Sequence, residues 1–258
     1  MTDTRTTLLQ ALRHPDTHER SRAALALGKQ GYDADALAGL IDALADEPEL
    51  MVREDLTWAL ARMGAESLQP LVDLLGDSRP EVRHQAAHVL GKLGDRRAVA
   101  GLVRVLEDES AQVVMKAVFA LGQIKDAEAI PALVGLLGHE QMEIHDTITN
   151  VLHEFDAQAV QPLAQMVGHE RWEVREQVAE VLGLIADPDA LPALTELLAD
   201  VEWQVRFAAV MGLGSLGSGQ ARAALEPMQQ DAHERVRAAA NKLITRLNTP
   251  RRRVLPGG

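Results

Sequence analysis

Val82-Arg83-His84-Gln85-Ala86-Ala87-His88-Val89-Leu90-Gly91 is the stretch that decides the fold, because it recurs. Near-copies run from Val174-Arg175 to Leu182-Gly183 and from Val205-Arg206 to Leu213-Gly214. With the arginine of each copy taken as position zero, the zero positions are Arg20, Arg53, Arg83, Val114, His145, Arg175, Arg206 and Arg237. Their separations are 33, 30, 31, 31, 30, 31 and 31 residues. So regular a period marks a repeat array, in which each unit buries its apolar face only by stacking on its neighbours.

Each period reads as two helices. The first is amphipathic, as in Ala98-Val99-Ala100-Gly101-Leu102-Val103-Arg104-Val105-Leu106. A short turn follows, often with Asp six residues before zero (Asp77, Asp108, Asp200, Asp231), and an aspartate there is expected to cap the next helix by accepting its free N–H groups. The second helix starts near zero and stops about ten residues later at Gly-Asp or an equivalent, such as Gly94-Asp95. Pro131, Pro162 and Pro192 fall where first turns of first helices are expected, a place that tolerates proline. No strand-like alternation appears anywhere, so the fold class is all-α.

The motif Val-Arg-x-x-Ala-Ala-x-x-Leu-Gly, then Gly-Asp, then Ala-x-x-x-Leu, resembles the HEAT-like repeats of the phycobilin-lyase type. That resemblance covers residues 10 to about 248 and implies an alpha-alpha superhelix, or solenoid, of about eight helical-hairpin repeats. It places the array at residues 1–248 and leaves 249–258, with Arg251, Arg252 and Arg253, as a disordered basic tail. It also implies that the second helices line a concave surface, and that each zero arginine ties neighbouring repeats together through an Asp. Val114 and His145 depart from that pattern.

Composition narrows the function. The chain is 47% hydrophobic yet only 3% aromatic, so the core is built from Ala, Leu and Val. With no cysteine there is neither a disulfide nor a thiolate metal site. The polar start, Met1 to Gln10, does not read as a signal peptide, and no apolar run is long enough to span a bilayer. The expected location is cytoplasmic, without membrane contact. A net charge of -12 argues against nucleic acid as a partner.

A helix turns 100° per residue, so positions -1, +3, +7 and +10 fall on one arc, and these are almost all apolar. That arc is core. Positions +1, +2, +5 and +9 lie opposite and are free to carry information. They present Trp58 in repeat two, His84 and His88 in repeat three, and Met115 and Phe119 in repeat four. Repeat five presents Asp146, Asn150 and Glu154, repeat six Glu176 and Glu180, and repeat seven Phe207. Trp58, Phe119 and Phe207, three of seven aromatics, thus point away from the core in an aromatic-poor chain. These residues form the expected partner-binding groove: an apolar anchor followed by an acidic stretch suited to a protein or peptide with a basic segment.

Chemistry is weakly represented. His-Glu occurs at His18-Glu19, His139-Glu140, His153-Glu154, His169-Glu170 and His233-Glu234. In deoxyhypusine hydroxylase, also a HEAT-like protein, such pairs follow the repeat arginine directly and hold two irons. Here only His84 stands at that place, and Gln85 follows it. No metal, cofactor or catalytic residue is therefore assigned, and the chain reads as a scaffold or adaptor rather than an enzyme. The alternative that the resemblance implies is a phycobilin-lyase-like subunit handling a tetrapyrrole chromophore.

Overall fold

The computed structural model describes residues 4–248, so the Arg-rich tail expected at 249–258 lies outside the described residues. The chain is all-α, with no strand and sixteen α-helices among the described residues. It divides into two compact units, Met1–Ala132 and Leu133–Gly258. Unit one contains α1 (Thr4–Ala11) and α2 (Thr17–Gln30), α3 (Ala34–Asp46) and α4 (Leu50–Arg62), α5 (Leu68–Leu74) and α6 (Pro80–Leu93), and α7 (Val99–Arg104) and α8 (Ala111–Ile124). The short α9 (Ile130–Val134) leads into unit two. There α10 (Met142–Glu154) is followed by the hairpins α11 (Ala157–Ala164) and α12 (Trp172–Ile185), α13 (Leu191–Leu197) and α14 (Trp203–Leu216), and α15 (Gly219–Leu225) and α16 (Glu234–Asn248).

All eight zero positions fall on the fourth residue of a second helix. Within each unit the second helices pack side by side, α2 on α4 and α6 on α8, then α12 on α14 and α14 on α16. This is the stacking of an α–α superhelix. The core arc is as expected: Val52, Leu56, Leu60 and Met63 of repeat two are buried, as are Val174, Val178 and Leu182 of repeat six. Each buried leucine contributes about 1.5–3 kcal/mol by leaving water.

The Gly-Asp stop works as read. Gly94 ends α6 in the left-handed region at φ 69°, and Asp95 accepts the N–H of Arg97 at 3.0 Å to open the next turn. Pro192 sits in the first turn of α13 and Pro131 at the second residue of α9, but Pro162 is the sixth residue of α11. The reason is that α11 begins at Ala157, directly after the two-residue turn Phe155–Asp156, without the 3-10 turn that precedes α9 and α13.

The turn aspartates do not cap the second helices. Each lies three residues before the first helical residue, too early to reach its N–H groups. Asp77, Asp108, Asp200 and Asp231 instead accept the N–H two residues on, from Arg79, Ser110, Glu202 and His233, at 2.8, 2.9, 2.9 and 2.7 Å. Three of them also take a zero arginine from the preceding repeat. Arg83 donates to Asp108 through Nε and Nη2 at 2.6 and 2.8 Å, Arg175 to Asp200 at 2.6 and 2.9 Å, and Arg206 to Asp231 at 2.7 and 3.0 Å. Arg20 makes the same two-pronged bond to Glu47, at 2.8 Å through each nitrogen. The remaining Nη1 of these four arginines donates to the carbonyl six residues back, of His14, Asp77, His169 or Asp200. One guanidinium thus fastens its own turn and the following repeat. Planar and forked, it does so at little entropic cost per bond.

Histidine replaces aspartate at this turn position in three repeats. His14, His139 and His169 accept the N–H of Asp16, Gln141 and Arg171 through Nδ1 at 3.1, 3.1 and 3.2 Å. Each ring supplies, through Nδ1, the single acceptor that the turn needs. His139 and His169 follow the two repeats whose zero positions are Val114 and His145, so the sequence drops the acid where it drops the arginine.

Candidate binding surfaces

In unit one, Trp58 and Phe119 emerge from α4 and α8 with 39% and 50% of their surface exposed. The Arg62 guanidinium lies over the Trp58 ring at 5.3 Å from its centroid, a cation–π contact between residues four apart. Beside Trp58 is a cavity of about 470 Å3, lined by Leu25, Glu54, Asp55 and Lys92 among others. His84 and His88 on α6, and Met115 and Lys116 on α8, are half-buried. His88 Nε2 lies 3.2 Å from Glu54 Oε1. Burial pushes the His84 imidazole down to about 4, aided by the positive charge of Lys116, His88 and Arg53. His88 is lowered by burial and Lys116, against the pull of Glu54, and burial also lowers Lys116. The expected apolar anchor is thus a mixed face on which desolvated bases stand among aromatics.

Because Trp58 keeps 39% of its surface exposed, Trp58→Ala is expected to lower stability by about 1–2 kcal/mol, below the 3–5 kcal/mol of a core aromatic. A urea titration giving a core-sized loss would contradict the assignment.

In unit two, α12 and α14 approach so closely that a Cβ built on Gly183 would sit 2.6 Å from the Gly212 Cα. Small residues at this contact leave a cavity of about 430 Å3 above it. Its floor is Ala179, Gly183, Ala208 and Gly212, and its walls include Glu176, Glu180, Leu184, Phe207 and Met211. Burial raises Glu176 above the ordinary carboxylate value, with help from Glu180, while His145 opposes. Glu180 is raised first by burial, against His145 and with a contribution from Asp146. Neither glutamate forms an ion pair with Lys or Arg among the described residues.

The candidates on α10 do not line this cavity. Asp146, Asn150 and Glu154 form one exposed row along α10, and Asp146 lies 3.3 Å from His145 Nδ1. Phe207 is half-buried rather than free, because it forms part of the cavity wall. Position +2 fails as a surface position in repeats five to seven: Thr147, Gln177 and Ala208 are all buried, Gln177 completely. Gln177 Oε1 accepts the Gly138 N–H at 2.7 Å, and its Nε2 donates to the His145 carbonyl at 2.9 Å and to Thr149 Oγ1 at 2.8 Å. Sequence phase alone also missed the stack of Trp203 on His233, with ring centroids 4.0 Å apart. Among the described residues, no three His, Asp or Glu side chains converge as metal ligands, and no helix is long and apolar enough to cross a membrane.

The sequence model for HEAT repeats matches residues 1–61, 51–117, 68–152, 99–171, 144–205 and 160–245, overlapping windows that together span nearly the whole chain. The chain belongs to the HEAT-repeat family. No curated protein sequence matches it. Among solved structures, this HEAT-repeat chain is similar to a chain of the Kap95p complex with RanGDP, at 16% identity over 94% of this chain and 39% of that one, with a TM-score of 0.58. It also matches human deoxyhypusine hydroxylase bound to glycerol, at 21% identity over 93% and 94% of the two chains, with a TM-score of 0.41. The complex of CpcE and CpcF of phycocyanin lyase from Nostoc sp. matches at 22% identity over 96% of each chain, with a TM-score of 0.44. The likeness to the Kap95p complex extends to the fold alone.

Proposed function

We propose that this HEAT-repeat chain is a protein-interaction scaffold, and that the cavity between α12 and α14 accepts a partner segment with a lysine or arginine beside a large apolar side chain. One observation carries the reading. Glu176 and Glu180, both partly desolvated and without a Lys or Arg partner among the described residues, share a cavity with Leu184, Phe207 and Met211. A carboxylate kept from water without a counter-ion raises the energy of the free protein. An incoming ammonium or guanidinium removes that cost, while the apolar wall supplies burial. Trp58, Phe119 and Met115 in unit one offer apolar anchor points for the same class of partner.

The linkage has a definite sign. Both glutamates are raised above the ordinary 4.5. The stability they contribute is therefore fully present below pH 4.5 and is lost as pH rises through the raised folded-state values. Glu176→Gln with Glu180→Gln is accordingly expected to raise the melting temperature at pH 7, with the gain vanishing at pH 4. The same variant is expected to lose peptides selected by the wild type from a random library, and those peptides are expected to pair Lys or Arg with Leu, Phe or Trp. Enrichment of acidic peptides, or equal capture by the variant, would sink the reading.

A further inference from the structure

A second cavity, of about 330 Å3, lies in unit one and is lined by Arg53, His84, Gln85, Ser110 and Gln112, with Glu81 and Pro80 at the start of α6. We propose that this cavity binds an oxyanion, a phosphate or carboxylate group of a ligand, with Arg53 as its charged clamp.

The case rests on the arginine ladder. In both units a zero arginine followed by an acid in the next turn closes the pair, except at Arg53. Its counterpart Asp77 is taken by Arg79, which holds it through backbone N and Nε at 2.8 and 3.1 Å and reaches Asp46 at 3.0 Å through Nη1. Glu47, whose carboxylate senses the Arg53 charge, is already gripped by Arg20. The Arg53 Nε is buried with no hydrogen-bond partner, and its guanidinium enters no ion pair among the described residues. A charged donor kept from water without an acceptor is costly, and an oxyanion seated in the adjoining cavity would satisfy it.

The other donors fit that ligand. Ser110 contributes a hydroxyl, and Gln85 and Gln112 contribute amides, and these groups make no hydrogen bond within the described chain. The charged groups acting on His84 come from three helices: Arg53 from α4, His88 from α6 and Lys116 from α8; Glu81 of α6 lines the same cavity, and Glu54 and Lys92 act on the neighbouring His88. Glu54 is engaged by His88. Arg53 and Glu81 are the charged groups lining the cavity, and Lys116 of α8 adds a further positive charge that acts on His84. Burial, reinforced by the positive charge of Lys116, His88 and Arg53, pushes His84 down to about 4. A bound anion would reverse part of this field and raise its protonation midpoint.

The test is an NMR titration of the whole chain, following the His84 ring, with inorganic phosphate in one series and acetate in another, at constant ionic strength set by chloride. The expected result is a saturable shift below about 50 mM, with the His84 midpoint moving upward from about 4. Saturation at lower phosphate than acetate assigns a phosphoryl ligand, and the reverse order assigns a carboxylate. Arg53→Gln is expected to weaken binding at least tenfold without lowering the melting temperature, since Arg53 makes no ladder bond and its buried Nε has no partner to lose. Arg53→Lys, which keeps the charge but loses the fork, is expected to retain part of the affinity. No saturable shift with either anion, an identical response to chloride alone, or undiminished binding in Arg53→Gln would overturn the proposal.

Discussion

Replacing Asp200 with alanine is expected to destabilise unit two by about 3 kcal/mol, because it strips a two-pronged partner from a nearly buried arginine. The Asp200 side chain is 7% exposed and that of Arg175 12%. The aspartate also holds the Glu202 N–H, so two elements lose a partner at once. Burial alone would raise Asp200, but the Arg175 hydrogen bonds and the Glu202 N–H hold it below its ordinary value of 3.8. Arg83 keeps Asp108, and Arg206 keeps Asp231, low in the same way. For such depressed carboxylates the stability is present above pH 3.8 and is lost as pH falls through the folded-state value. Urea titrations followed by the fluorescence of Trp172 and Trp203, both in unit two, would report the change. The wild type and the variant should converge in stability as the pH is lowered past that range. Asp77→Ala serves as the contrast: Asp77 pairs with the exposed Arg79 and otherwise holds only its N–H, so the expected loss is about 1 kcal/mol. Equal losses at Asp77 and Asp200 would refute the distinction.

Gln177→Leu is expected to cost about 2–4 kcal/mol, although the two side chains are similar in size. Gln177 is completely buried and satisfies three groups: the Gly138 N–H, the His145 carbonyl and the Thr149 hydroxyl. Leucine restores the volume but leaves the Gly138 donor without a partner, and a buried donor left unpaired loses about 1–3 kcal/mol by itself. Gln177→Glu probes the same point differently. It keeps the acceptor for the Gly138 N–H but loses the donor to His145, and it buries a charge, so it should be no better than leucine at pH 7. Chemical denaturation of the three proteins side by side decides the matter. A leucine variant as stable as the wild type would show that these bonds contribute nothing net.

Much of the fold is legible from periodicity, and the failures have definite causes. Helical phase locates every second helix, because the apolar arc recurs at fixed offsets from zero and packing enforces it. The same phase misjudges position +2, since Thr147, Gln177 and Ala208 face an adjacent repeat, and a single-helix wheel takes no account of neighbours. It also leaves Phe207 too exposed for that reason. Recurrence marks the turn aspartates as significant, but helix capping is the wrong role for them. All four take an amide two residues on, and Asp108, Asp200 and Asp231 also take an arginine 25 residues back. The latter contact cannot be read from local order. Arg53 is the least legible residue, because nothing in the sequence separates it from the arginines that close the ladder. Only the diversion of Asp77 to Arg79 does so. The candidate residues themselves divide between the units: Trp58, His84, His88, Met115 and Phe119 belong to the first, and Asp146, Asn150, Glu154, Glu176, Glu180 and Phe207 to the second.

The arginine ladder also bears on how the chain reaches its native state. Each Arg–Asp bond joins residues 25 positions apart, so it closes a short loop of nearly constant length. Short loops cost little entropy to close, and proteins dominated by such near-neighbour contacts fold quickly. In a repeat array folding can begin at any hairpin and spread to the next. During synthesis the first hairpins leave the ribosome first. Once the turn bearing Glu47 has emerged, Arg20 has its partner and the first repeat can lock onto the second while most of the chain is still untranslated.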